Sequence, residues 1–182
     1  MQVSYDIHIK DVTANARGIV RNLAIPEDIK ALVILSAELH DLGKKRSAWQ
    51  RSIGNRNAGI WLAKSGANKE LIELTDYRHE FGSLLDAELM LSELNNDDTR
   101  DLVLHLIAAH HGRGRPHFSP DEAFDDNRPI GDSARVAAEV PRRFARLQRK
   151  YGRWGLAYLE SLLRAADYAA SANPSETTGE DS

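Results

Sequence analysis

The sequence predicts an all-α fold. Apolar residues recur at three- and four-residue spacing along most of the chain, and no sustained period-2 alternation occurs. Glycines and prolines punctuate these periodic segments. With 182 residues and 42% hydrophobic content, the chain can bury one compact core.

The first helix is expected over about residues 7–23, where Val12, Ala16, Ile19 and Leu23 form an apolar stripe. Pro26 suits the first turn of a second helix through Leu32, Val33 and Leu35 to about Leu42, and Gly43 is expected to stop it. Shorter helical pieces are expected over 47–53 and 58–64, separated by glycines. Longer helices follow over 78–94 and 99–111. Residues 112–131 carry glycines, acids and the prolines Pro116, Pro120 and Pro129, which predicts a long loop. A loop of that length in a compact domain is more often functional than idle. Two last helices are expected over 132–151 and 154–171. The chain then divides into a domain over 1–172 and an acidic tail, 173–182, expected to be disordered.

Composition narrows the chemistry. The chain has no Cys, so disulfides and thiolate metal sites are excluded, and a cytoplasmic home is expected. No apolar run reaches the ~18 residues of a membrane span. The opening residues lack the apolar core of a signal peptide. A net charge of −3 excludes a globally basic binder of nucleic acid. Locally, Arg142, Arg146, Arg149 and Arg153 share one helical face. That face is either a solvated helix surface or a stripe that tracks phosphates. Arg113 and Arg115, in the long loop, are further candidate phosphate contacts.

Seven histidines remain to be placed. His8 lies one turn before Val12 on the buried face of the first helix. His40 follows Ile29, Val33 and Ser36 at helical spacing and points inward, with Asp41 beside it at a helix end. Val103, Leu106, Ile107 and His110 share a stripe with His111 on its flank; Leu156, Leu163, Asp167 and Ala170 share another. One buried His is most often a satisfied core residue. Several His and Asp converging on inward faces are harder to satisfy without a cation, because each buried polar atom needs a partner. At about 100° per residue, His105 falls on the far side of its helix from His110 and reads as structural or exposed. His117 reads as a solvent-facing loop residue.

The segment Leu39-His40-Asp41-Leu42-Gly43-Lys44 resembles the HDxGK element of the HD superfamily. Together with Arg78-His79-Glu80, Ala109-His110-His111-Gly112 and Ala166-Asp167-Tyr168-Ala169-Ala170-Ser171, its order and spacing resemble the HD nuclease domain of the CRISPR-associated type I helicase-nuclease. The early His8-Ile9-Lys10-Asp11-Val12 resembles that family's first metal-ligand element, and the likeness runs from about Tyr5 to Ser171. The resemblance implies an all-α HD-domain helical bundle around a two-metal centre. His8, His40, Asp41 and Asp167 would hold one ion; His79, His110 and His111 would hold the other, with Asp41 bridging the pair. Lys44 would sit near the scissile phosphate, and Ser171 matches a small polar position. The GRGRPHF stretch resembles a subgroup whose nuclease domain follows its helicase. No GxxxxGK[ST] phosphate loop occurs, so the helicase is expected as a separate subunit, or as another domain of a longer chain from which this one is taken.

Imidazole-rich ligation favours two transition-metal ions, Mn, Fe, Co, Ni or Zn, over Mg. Two cations about 3.5–4 Å apart suit attack on an anionic phosphodiester. The resemblance implies endonucleolytic hydrolysis of single-stranded DNA in CRISPR interference, continuing as an exonuclease along the strand. Its implied partners are a helicase and an RNA-guided surveillance complex, with no membrane, and the chain is a monomer or one domain of a larger protein. Two readings compete: an HD phosphohydrolase of nucleotides or cyclic dinucleotides, and a non-catalytic module that docks a helicase.

Overall fold

The computed structural model describes residues 1–65, 76–94 and 96–178. Its helices are α1 (Tyr5–Arg21), α2 (Glu27–Leu39), α3 (Ser47–Ser52), α4 (His79–Met90), α5 (Asp97–Ala109) and α6 (Ile130–Ala172). Short 3-10 turns cover Leu42–Lys45 and Pro120–Glu122. Ser4 opens α1 by accepting the Ile7 amide, and Asn96 opens α5 by accepting that of Thr99. Gly152, at φ 72° and ψ 167°, breaks α6 into the two helices expected from the sequence. Only glycine adopts that conformation without strain.

The bundle is arranged around α5. Residues Leu102 to Ala109 are buried on every side, with α2, α4 and α6 packed about them. One apolar cluster joins Val12, Ala16, Val33, Leu102, Leu106, Leu156 and Leu163 across α1, α2, α5 and α6. A second joins Phe81, Leu84, Val103, Ile107 and Val140 with Phe118 from the long loop. The C-terminal ends of α2 and α5 therefore meet the start of α4, the first turns of α1 and the last turns of α6.

Three expectations are corrected. Residues 58–64 are not helical: Leu62–Lys64 form strand β2, paired antiparallel with β1 (Val3–Ser4) at the start of the chain. A pairing partner that far away in sequence leaves no local periodicity to read. Gly43 does not stop α2, which ends at Leu39; it lies inside the following 3-10 turn. The predicted tail is fastened at its start, where the Ser175 amide donates to Asp11 Oδ2 at 2.8 Å and Thr178 N–H to the Gln2 carbonyl at 3.1 Å. Residues 179–182, the rest of that tail, lie outside the described residues. His105 faces away from His110 as expected, and of its two readings the structural one holds: it is buried, its Nε2 2.8 Å from Glu160 Oε1, because α6 covers that side of α5. Among the described residues, no helix is long and apolar enough to cross a membrane.

Candidate metal centre

Two histidines stand at helix C-termini and are aimed by the helices they end. His40 Nδ1 lies 2.8 Å from the Ala37 carbonyl, and His110 Nδ1 lies 2.6 Å from that of Ile107. A carbonyl can only accept, so each Nδ1 carries the proton and each neutral ring turns a bare Nε2 lone pair inward.

Asp41, with no solvent exposure, is the hub. Its Oδ2 meets His8 Nε2 at 3.1 Å, His40 Nε2 at 3.4 Å and Lys44 Nζ at 2.6 Å. Its Oδ1 faces the other way, 3.2 Å from His79 Nε2 and 3.8 Å from His110 Nε2. Asp167 Oδ1 approaches from α6, 3.2 Å from His8 Nε2 and 4.0 Å from His40 Nε2. His111 joins the second side, its ring 4.1 Å from that of His110 and 5.1 Å from that of His79.

These atoms are close without being satisfied. His8, His40, His79 and His110 Nε2 and both Asp41 oxygens are buried with no hydrogen bond of proper alignment. At His40 the contact sets a lone pair against a carboxylate oxygen, which repels unless a cation lies between. Three groups of donors lie close enough to hold an ion: His79, His110 and His111; His8, His40 and Asp41; and His40, His110 and Asp167. The residues present therefore fit divalent metal binding, and their N/O chemistry suits transition metals. The third group spans the other two, as expected of one continuous centre.

Burial lowers His110 well below the ordinary histidine range, helped by the neighbouring rings of His111, His40 and His79. His111 and His40 are lowered too, each chiefly by burial. Neutral rings of this kind are what a metal requires. His8 goes the other way: burial lowers it, but Asp167 and Asp41 outweigh burial and raise it. Burial also raises Asp41, yet His40, Lys44, His79 and His8 together hold its carboxyl well below the usual range.

Gly43 explains how the two halves meet. A Cβ there would overlap the His79 carbonyl oxygen and crowd the Ser83 amide, so glycine alone lets the 3-10 turn lie against α4. The Gly43 amide donates to Ser83 Oγ at 2.8 Å, whose hydroxyl donates to the His79 carbonyl at 2.7 Å. Tyr77 OH donates to the Gly43 carbonyl at 3.0 Å. His79 is thereby pressed towards Asp41. Arg46, at the end of the turn, binds both oxygens of Asp125 and reaches Asp86 at 2.8 Å, which fastens the long loop to the same edge.

Four residues at the centre were not singled out from sequence. Glu80 Oε2 lies 3.4 Å from His79 Nδ1, a carboxylate behind a histidine. Successive helix residues do not normally face each other, so adjacency gave no signal. Trp49 packs its ring 4.6 Å from that of His79. Ser83 holds the turn. Lys64, on β2, donates to the Ser171 carbonyl at 2.7 Å, one turn beyond Asp167, while Ser171 Oγ lies 3.4 Å from Asp167 Oδ1.

The arginine candidates lie elsewhere. Arg142, Arg146 and Arg149 do share an exposed face of α6, whereas Arg153, also exposed, lies beyond the break at Gly152. However, Arg146 binds Asp101 at 2.7 Å and Glu139 at 2.6 Å, and Arg142 approaches Glu139 at 3.7 Å. Arg115 is held by Glu160 at 2.8 Å, and Arg113 lies 3.3 Å from Glu122. Of the stripe, Arg146 alone reaches an acid of α5, Arg142 pairs within α6, and Arg149 and Arg153 form no ion pair among the described residues. His117 is exposed, as expected.

The chain matches the family model described as "Cas3, HD domain" over residues 6–178. A solved structure, the CRISPR-associated Cas3 HD domain protein from Methanocaldococcus jannaschii, is similar with a TM-score of 0.50 and 16% sequence identity. The likeness covers 88% of this chain and 85% of that one. At that identity it shows a common fold. No curated protein matches the chain.

Proposed function

The chain belongs to the Cas3 HD-domain family, CRISPR-associated HD domains that are as a class metal-dependent phosphohydrolases, and from that premise we propose that it is a metal-dependent nuclease. Its substrate is single-stranded DNA, cut within the strand and then along it during CRISPR interference, with a helicase and an RNA-guided complex supplying the strand. The observation that carries this reading is the split carboxylate: Asp41 turns one oxygen to His8 and His40 and the other to His79 and His110. A single mononuclear site has no use for two imidazole groups on opposite sides of one aspartate.

On this reading His8, His40, Asp41 and Asp167 hold one divalent ion, and His79, His110 and His111 the other. Bound there, such ions neutralise phosphate charge and acidify water. The chain's own residues set the geometry. The Ala37 and Ile107 carbonyls keep the His40 and His110 rings in the ligating tautomer. Glu80 backs His79, and Ser171 steadies Asp167. Lys44 rests on Asp41 Oδ2, and on this reading its ammonium meets a non-bridging phosphate oxygen of the substrate, a role its contact with that carboxylate supports.

Incubating the full chain with Mn²⁺ or Ni²⁺ and circular single-stranded DNA, beside free nucleotides and cyclic dinucleotides, tests the reading. Cleavage of the circle supports it, as does an elemental count of two metal ions per chain. Turnover of the nucleotides alone would replace it.

A further inference from the structure

We propose that β2, with Trp61 in front of it, is the lip over which single-stranded nucleic acid enters the centre. Trp61 stacks a base, and Lys45 and Lys64 take the flanking phosphates. The inference rests on the nuclease reading and adds where the strand lies.

The lip is fastened to the centre from three sides. Gln50 Nε2 donates to the Lys44 carbonyl at 2.6 Å and to the Leu62 carbonyl at 2.9 Å, and its Oε1 accepts the Leu62 amide at 3.1 Å. Tyr5 N–H donates to the Trp61 carbonyl at 2.8 Å, one turn before His8. Lys64 is tied to Ser171, one turn beyond Asp167. β2 therefore borders Lys44, the start of α1 and the end of α6 together, the elements that bring Asp41, His8 and Asp167 to the centre.

Its surface is unlike the rest of the centre. Leu62 and Ala63 are buried, whereas Trp61 is 49% exposed. Lys45 Nζ lies 4.3 Å from the Tyr5 ring centroid and 4.9 Å from that of Trp61, a cation set between two aromatic faces. In extended chain, at about 3.3 Å per residue, Trp61 and Lys64 stand roughly 10 Å apart. Lys45 stands at this aromatic face and Lys64 follows on β2, and among the described residues no acid forms an ion pair with either. An aromatic face beside unpaired cations is the pattern that holds single strands, because each base offers a free π-face only when unpaired. On α6, by contrast, Arg135, Arg142, Arg143 and Arg146 are met by acids, and Arg149 and Arg153, which form no ion pair among the described residues, have no exposed aromatic ring in cation contact.

The test is an anisotropy titration of the full chain in EDTA, where no cleavage proceeds, with a ten-nucleotide oligothymidylate and an abasic strand of equal length. The wild-type chain should prefer the strand that carries bases. Trp61→Ala should weaken binding of that strand roughly tenfold and erase the preference, while Trp61→Phe keeps most of it. Lys45→Ala and Lys64→Ala should weaken both strands and each lower the salt slope by about 0.7. Wild-type preference in Trp61→Ala, an equal loss on both strands, or an unchanged slope in both lysine variants would overturn the lip. If wild type still cleaves single-stranded DNA with Mn²⁺ in that case, the nuclease reading stands without it. If wild type neither binds nor cleaves, the nuclease reading fails and the lip with it.

Discussion

Two polar clusters are built into opposite ends of α5, and they are completed in opposite ways. At the N-terminal end, Asp101 accepts from Arg143 at 3.3 Å and from Arg146 at 2.7 Å, and Lys150 meets Asp98 at 2.7 Å. Glu88 and Glu139 complete a cleft of about 920 Å³ in which the acids and arginines are paired with one another. A single buried nitrogen there, Arg143 Nη1, lacks a partner. At the C-terminal end, His110 joins a centre where four ring nitrogens and both oxygens of Asp41 are buried and unsatisfied. The two ends are nine residues apart, about 14 Å along the helix. A polar cluster whose members answer each other is architecture, whereas one whose members all point at the same unanswered space awaits a ligand.

The sharpest way to break this contrast is at Asp41. Asp41→Ala should abolish metal-dependent cleavage, by at least about a thousandfold, and remove most bound metal, while helicity by circular dichroism stays near wild type. Cleavage at the wild-type rate would end the metal reading. At the other end, Arg143→Ala should leave a buried Asp101 carboxylate with only half its partners. The expected cost is about 3–5 kcal/mol of stability in a denaturant titration, with metal content per folded chain unchanged. Loss of metal without loss of stability would show that the two ends are not separate.

The legibility of the two clusters differed for a physical reason. His8, His40, His110 and Asp167 could be placed because each sits on an apolar stripe of its own helix, where the period of the helix fixes direction. The pairing of those stripes into one centre came from the resemblance, since periodicity says which face is inward but not which faces meet. Glu80, Trp49 and Lys64 stayed hidden because they reach the centre through a helix start, a short helix with too few turns to show a stripe, and a strand that pairs with residue 3. The arginine face holds for Arg142, Arg146 and Arg149, whereas Arg153 lies past the break at Gly152, and Asp101, which answers Arg146, could be assigned only once α5 lay against α6. Gly43 shows the same limit: a glycine after a helical run reads as a stop, and only packing reveals that it lets α4 approach.

Protons provide a milder test of the metal end. His110, His111 and His40 are lowered by burial, His110 furthest, so each stays neutral to lower pH than an ordinary histidine. His8 is raised above 6.5 by Asp167 and Asp41, with Lys44 opposing, so it carries a proton below that raised value. A metal ion must displace it. Metal affinity should therefore be highest above the His8 pKa and fall about tenfold per pH unit below it, one proton being released on binding. Calorimetric Mn²⁺ titrations between pH 5.5 and 8.5 would show this. A flat affinity across that range would mean that His8 is not a ligand.

The smallest effect is expected on the surface of α6. Arg146 is half-exposed and divides its guanidinium between Asp101 and Glu139. Reversing it should cost on the order of 1 kcal/mol of stability, because solvent screens most of the pair. Arg149, exposed on the same face, enters no ion pair among the described residues, so Arg149→Glu should leave stability unchanged. Neither variant should change oligothymidylate affinity by more than about twofold at 0.15 M salt, where charges beyond roughly 8 Å are screened. A tenfold loss in Arg149→Glu would extend the strand's path from the centre onto α6. The paired end of α5 would then be a platform for nucleic acid as well as a joint between helices.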